Sequence, residues 1–258
     1  MLLRIEDIDI ERCTPELEAQ MLQDLGWIGF GHDSKILRQS ERLEMYRAAL
    51  ADLEKRDLVY PSAMSRGQIR AVARIAEASG APPAADPDGV PLYPGTEREF
   101  SSQQRRDLKA HSPDYALRLD MRRALNSLGR APYWKEFEDE TLATVCRIDA
   151  DAKAWGDVIL GRKSLATSYH LACVVDDAAQ GVTHVVRGRD LFAATAVHRV
   201  LQELLGAPAP GYFHHRLILD GDGRKLSKSR SSTALAHLRA AGTTPDEIRD
   251  RIGLGLLA

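Results

Sequence analysis

Gly181-Val182-Thr183-His184-Val185-Val186-Arg187-Gly188-Arg189-Asp190-Leu191 is the stretch whose reading decides the fold. Val182 to Val186 reads as a strand that delivers the chain into an amphipathic helix, Leu191 to Leu205, closed by Gly206. Upstream, Asp157-Val158-Ile159-Leu160 and Tyr169 to Val175 read as further strands, and Asp176 to Gly181 as a turn or short helix. Downstream, Leu217-Ile218-Leu219 reads as a strand running into the turn Asp220-Gly221-Asp222-Gly223 and the loop Lys225-Leu226-Ser227-Lys228-Ser229. Thr233 to Ala240 and Pro245 to Ile252 are closing helices. Strands alternating with helices predict an α/β architecture with a largely parallel sheet. Ligands of such sheets bind beyond the carboxyl ends of the strands, where Arg187 and the lysine loop fall.

The first half carries fewer signals. Leu2 to Ile5 reads as a short strand, and Thr14-Pro15-Glu16 starts a helix with a capping hydroxyl, proline at the first helical position and an early acid. That helix stops near Gly26. Leu43, Tyr46, Arg47 and Leu50 place a second helix over Ser40 to Lys55, leading into Leu58-Val59-Tyr60 and Pro61. Residues 61–120 are irregular, with one helix from Ser65 to Ser79 and a Pro/Gly-rich loop from Gly80 to Gly95.

At 258 residues and 44% hydrophobic, the chain buries a sizeable core as one large domain or one domain with an insertion. No apolar run approaches the roughly 20 residues that span a bilayer, and the opening turns acidic too soon for a secretory signal, so a cytoplasmic location is expected. Cys13, Cys146 and Cys173 are odd in number, widely separated and without C-x-x-C spacing, which argues against a disulfide framework and a cysteine zinc site. His214-His215 suggests a metal pair, but adjacent strand residues face opposite ways, which favours a structural role. Net charge is −2, yet residues 212–239 hold six Lys/Arg against two Asp and are suited to phosphates.

Lys225 and Lys228, three apart on a serine-containing loop, can follow negative charge as it moves along a polyphosphate. This loop resembles the KMSKS signature of class I aminoacyl-tRNA synthetases. Arg4-Ile5-Glu6-Asp7-Ile8-Asp9 with Arg12 resembles the RIEDxDxxR block of the glutamyl-tRNA synthetase group. Tyr169-His170-Leu171-Ala172-Cys173-Val174-Val175-Asp176-Asp177 with Gly181 to Gly188 resembles that group's YHLAVVVDD…GVTHVxRG block. Three ordered motifs are more specific than one, and the resemblance covers nearly the whole chain.

The resemblance implies a Rossmann-like class I catalytic domain over 1–258, with a connective insertion at 61–120 and the KLSKS loop and closing helices at 213–258. It also implies that the opening strand and an HxGH helix start precede Arg4, and no match to them is found here. Without that strand an open sheet edge and exposed apolar face are expected. The sequence ends 29 residues after Ser229, without an anticodon-binding region, and in this is similar to the glutamyl-queuosine tRNA(Asp) synthetase subfamily. Arg187-Gly188-Arg189-Asp190-Leu191 with Thr195, Gln202 and Leu205 is also similar to that subfamily.

The implied activity is ATP-dependent activation of L-glutamate and its transfer to the queuosine base of tRNA(Asp), by a monomer using ATP with Mg. Glu6 is implied to take the α-ammonium of glutamate, Arg187 a carboxylate, Tyr169 a hydroxyl contact, and Lys225 and Lys228 the ATP phosphates. Asp9, Asp190 and His170 would brace the site. Many members bind zinc where this chain has Ser62, Met64, Tyr93 and Glu97, a donor set unsuited to a closed tetrahedral site, so no zinc is expected. A non-catalytic tRNA-binding paralogue and a fragment of an ordinary glutamyl-tRNA synthetase are the competing readings.

Overall fold

The computed structural model describes residues 2–31, 35–80, 82, 84–139, 141–219, 222, 226 and 234–253. The chain divides into a terminal unit, Met1–Glu41 with Arg216–Ala258, and a central unit, Arg42–His215.

In the terminal unit, strand β1 (Arg4–Ile5) pairs in parallel with β2 (Leu37–Arg38). Helix α1 (Pro15–Trp27) starts as its sequence dictates, with the Thr14 hydroxyl accepting from Leu17 N and proline in the first turn. The buried Asp7 accepts from both Ser40 N (2.9 Å) and Ser40 Oγ (2.5 Å).

The central unit opens with α2 (Leu43–Lys55), β3 (Val59–Ser62) and α3 (Arg66–Ala78), the last begun by a reciprocal capping box between Ser65 and Gln68. Then come α4 (Ser102–His111), β4 (Ala116–Leu119), α5 (Met121–Leu128), β5 (Tyr133–Phe137), β6 (Val145–Asp149) and β7 (Ile159–Arg162). The unit closes with α6 (Tyr169–Ala179), β8 (His184–Gly188), α7 (Thr195–Leu205) and β9 (Gly211–His215). Two short helices, α8 (Leu235–Ala240) and α9 (Pro245–Arg251), belong to the terminal unit.

Strands β6-β5-β9-β8 form one sheet, in which β5, β9 and β8 are parallel and β6 is an antiparallel edge. Gly211 opens β9 where the Phe137 ring lies so close that an added Cβ would sit 2.5 Å from it. A second sheet, β3-β4-β7, is antiparallel, and Pro61 is tolerated there because β3 is its edge. The core joins Leu50 and Leu53 of α2, Leu171 and Val174 of α6, and Val197, Val200, Leu201 and Leu204 of α7 to Trp134 of β5 and Tyr212 of β9. Helix α7 is buried on nearly every side, and Gly206 ends it in the left-handed region at φ 64°.

Buried charge is paired. Asp176 receives Arg42 Nε at 2.8 Å and the Tyr46 hydroxyl at 2.7 Å, which ties α2 to α6. Asp157, just before β7, receives the Tyr60 hydroxyl, Arg98 Nε (2.8 Å) and Nη2 (2.7 Å), and the Met121 amide (3.0 Å).

Three local expectations need correction. Tyr169 to Val175 is the start of helix α6, not a strand, and Asp176 to Ala179 is its last turn. Leu171, Ala172, Val174 and Val175 form a nearly continuous apolar run whose periodicity does not separate a buried helix from a strand. Leu217 and Ile218 lie outside any strand; the neighbouring strand is β9, at Gly211–His215. Asp157 to Leu160 contributes to β7, two residues further on, in the antiparallel sheet rather than the parallel one.

Candidate active site

Arg187 is the fourth residue of β8, at the carboxyl end of that strand, and its register partner on β9 is His214. The α/β arrangement thus sets a guanidinium and an imidazole side by side at the end of two parallel strands. Helix α7 adds Thr195 and His198, and the first turn of α6 adds Tyr169 and His170.

The guanidinium is held on every edge. Nη2 donates to Thr195 Oγ1 at 2.6 Å, Nε donates to His214 Nε2 at 3.1 Å, and Nη1 reaches His198 Nδ1 at 3.3 Å and the Tyr169 hydroxyl at 3.5 Å. Its carbon lies 5.3 Å from the centre of the Tyr212 ring.

Arginine only donates, so each contact fixes its neighbour's proton. His214 Nε2 must accept, which puts its proton on Nδ1 and aims it at Glu136, 2.9 Å and 3.0 Å from the two carboxylate oxygens. Glu136 also receives the Trp134 indole at 2.9 Å and the His214 amide at 3.1 Å. His198 Nδ1 must likewise accept, so its Nε2–H points to His170 Nδ1 at 3.2 Å. A single chain of hydrogen bonds therefore runs Glu136–His214–Arg187–His198–His170.

All three imidazoles are neutral. Burial lowers the His214 pKa against the raising effect of Glu136, and burial with the nearby charges holds His198 well below the ordinary histidine value. Burial, with the Arg187 charge adding, takes His170 from 6.5 to about 4. The unfolded chain accepts a proton on this ring near pH 6.5, whereas the folded chain refuses it until about pH 4. Stability is thus fully present above about 6.5 and is lost as pH falls through that interval, by up to roughly 3 kcal/mol for His170 alone. Urea unfolding at pH 7, 5.5 and 4.5 checks this: the midpoint is expected to drop at each step, and the His170→Phe variant to drop less.

The contacts around Arg187 have one further consequence. Every partner is neutral, and no carboxylate among the described residues touches it. A half-buried guanidinium without a counter-ion is costly unless an anion completes it, and one Nη2 hydrogen is left to meet a carboxylate.

The sequence-based candidates fall as follows. Tyr169 and Arg187 are brought together, with His170 bracing through His198. Glu6 is placed in the terminal unit just after β1, half-exposed, with its carboxylate 3.5 Å from Arg4 Nη2. Asp9 holds Arg12 at 3.5 Å. Lys225 and Lys228 lie outside the described residues. The sequence reading passed over Glu136, His198 and His214. The expectation that the two adjacent histidines diverge does hold, since His214 is buried and His215 exposed. The missed signal was the alternation in Tyr133–Phe137, where Trp134 and Glu136 share the buried face.

Ser62, Met64, Tyr93 and Glu97 lie close together. Glu97 Oε1 accepts from Ala63 N (3.2 Å), Glu97 N donates to the Tyr93 hydroxyl (3.0 Å), and Met64 packs on the Tyr60–Tyr93 cluster. Arg118 lies 4.1 Å over the Tyr93 ring. A hydroxyl, a thioether, a phenol and one engaged carboxylate do not fit zinc. Metal analysis of the purified protein is expected to show far less than one zinc per chain, and a stoichiometric zinc would contradict this reading.

Comparisons with known proteins show the family. Residues 1–254 match the family model for the catalytic domain of class I tRNA synthetases (E and Q). The chain is 46% identical over 98% of its length to a glutamyl-Q tRNA(Asp) synthetase of Rhodobacter capsulatus, covering 87% of that protein. It is 36% identical to one of Symbiobacterium thermophilum, over 96% of this chain and 73% of that one. A glutamate–tRNA ligase of Prochlorococcus marinus is 33% identical over 98% of the chain, which spans half of that longer protein. The crystal structure of a glutamate tRNA ligase from Elizabethkingia meningosepticum in complex with its amino acid superposes with a TM-score of 0.67 at 25% identity, over 88% of this chain and 45% of that one. The motifs, the parallel strands and these likenesses converge: the chain belongs to the catalytic-domain family of class I tRNA synthetases for glutamate and glutamine.

Proposed function

We propose that this chain activates L-glutamate with ATP and transfers the glutamyl group to the queuosine base at the wobble position of tRNA(Asp). The observation that carries the reading is Arg187, a guanidinium fixed by neutral partners with no carboxylate among the described residues against it. The identities support the transfer half, since the glutamyl-Q tRNA(Asp) synthetase of R. capsulatus is closer (46%) than the glutamate–tRNA ligase of P. marinus (33%).

In the first step a glutamate α-carboxylate oxygen attacks the α-phosphorus of ATP, supplied as its magnesium complex, and the bond to pyrophosphate breaks. In the second a hydroxyl of the queuosine ring attacks the activated carbonyl, loses its proton, and AMP leaves. Such chemistry rests on placement and electrostatics. Arg187 takes the side-chain carboxylate and Tyr169 adds its hydroxyl, Glu6 takes the α-ammonium, and Lys225 and Lys228 hold the phosphates. Residues 61–120 serve as the connective insertion. The protein works as a cytoplasmic monomer; no helix among the described residues is long and apolar enough to cross a membrane.

Glutamate-dependent ATP–pyrophosphate exchange without tRNA tests the proposal, on this chain and on a version extended through in-frame upstream sequence. Exchange supports it. Exchange that requires tRNA favours an ordinary glutamyl-tRNA synthetase, and none from either version with tRNA present favours a non-catalytic paralogue.

A further inference from the structure

Two adjoining cavities of about 510 and 360 Å³ lie in the central unit, and Arg66, Ile69, Arg118 and Ile159 line both. Arg162 completes the first and Arg70 the second. Arginines elsewhere in this chain are commonly paired, as Arg38 with Glu18, Arg42 with Asp176 and Arg98 with Asp157. Arg66, Arg70 and Arg162 make no ion pair among the described residues. Arg118 is buried, gives Nη1 to the Asp157 carbonyl at 2.9 Å, and lies near enough to Arg162 for the two charges to repel.

The carboxylates on the walls are engaged elsewhere. Asp157 is taken by Arg98 and Tyr60, Asp86 accepts from Asp88 N and Val90 N, and Asp114 accepts from Tyr115 N. Asp157 is matched by Arg98, and the charges of Asp86 and Asp114 offset only part of the four arginines, so positive charge is in excess along this groove in a chain whose net charge is −2.

Its distribution identifies the ligand class. Arg66 and Arg70 are one helical turn apart on α3, about 6 Å along the axis, and Arg74 extends the row by another turn. Arg162 lies on β7 across the groove. A compact anion is gripped by donors that converge, whereas a row suits a linear polyanion with repeating charges. We propose that this arginine groove binds the phosphodiester backbone of the tRNA. The assignment rests on the reading that tRNA is the partner; the second cavity reaches His170 at the far end of the Arg187 network, but none of the groove's arginines belongs to that network.

The test is anisotropy of labelled tRNA(Asp) bound by the chain and by R66A/R70A/R162A, titrated from about 50 to about 200 mM salt. The triple variant is expected to bind at least about tenfold more weakly at the low-salt end, with the slope of log affinity against log salt shallower by about two to three. R66E/R70E, which alters two exposed positions, is expected to lose more, while both variants keep the parent's melting midpoint and its glutamate-dependent exchange. Unchanged affinity and slope in both variants would overturn the proposal, as would failure of the parent to bind tRNA. A parent that binds tRNA through these arginines but activates no glutamate would refute the proposed enzyme while leaving the groove standing.

Discussion

Replacing Arg187 by leucine is expected to lower kcat/KM for glutamate in pyrophosphate exchange by roughly 10²- to 10³-fold, about 3 to 4 kcal/mol, with little change in KM for ATP. The size follows from what is lost. A charge-assisted contact from the Nη2 hydrogen that Thr195 does not take disappears, and a glutamate carboxylate would have to be desolvated against Thr195, His198 and His214 with no cation among them. Arg187→Lys keeps the charge but not the fork. One ammonium cannot meet Thr195, His198 and His214 together, so an intermediate loss of about tenfold or more is expected. If Arg187→Leu leaves the glutamate KM within a factor of two of the parent, the carboxylate is bound elsewhere. Glu136→Gln provides a finer measurement, because it keeps the side-chain shape while weakening the acceptor shared by the His214 ring, the His214 amide and the Trp134 indole, and its loss is expected to fall mostly on glutamate KM.

Removing the Asp157 carboxylate is expected to destabilise the folded chain by about 3 to 5 kcal/mol. This side chain is almost fully buried and receives donors from three separate segments: the Tyr60 hydroxyl of β3, the Arg98 guanidinium and the first amide of α5 at Met121. Asp157→Ala leaves the buried Tyr60 hydroxyl and the Arg98 charge without their acceptor, and opens one of the end amides of α5. Asp157→Asn keeps an oxygen for Met121 but loses the charge that holds Arg98, so a smaller loss is expected. Urea unfolding reads both variants: a fall in midpoint at constant slope is the expected signature, and a loss below about 1 kcal/mol for Asp157→Ala would contradict this account.

Much of the fold was legible because its local signals have single causes. Thr14-Pro15 announces a helix start whose capping bond is formed as expected, the helix read from Ser65 begins there, and Gly206 ends α7 at the left-handed angle a C-terminal glycine supplies. Where burial surrounds a segment, pattern loses meaning. Tyr169 to Val175 is apolar on nearly every side as either a helix or a strand, and the packing of Leu171 and Val174 against α2 and α7 decides for the helix. Strands β5 and β6 were not read at all, so Glu136 was missed. Arg187 and Tyr169 were readable from the motif that contains them. The histidines that support Arg187 were not, because His198, His214 and His170 come from three elements and meet only when the sheet and both helices assemble.

The most direct measurement of the central claim is transfer of labelled glutamate, with ATP, to tRNA(Asp) carrying queuosine, beside the same tRNA lacking that base. The account predicts label on the queuosine-containing tRNA and none on the unmodified one. Equal labelling of both, or labelling of a glutamate tRNA at its 3′ end, would contradict it.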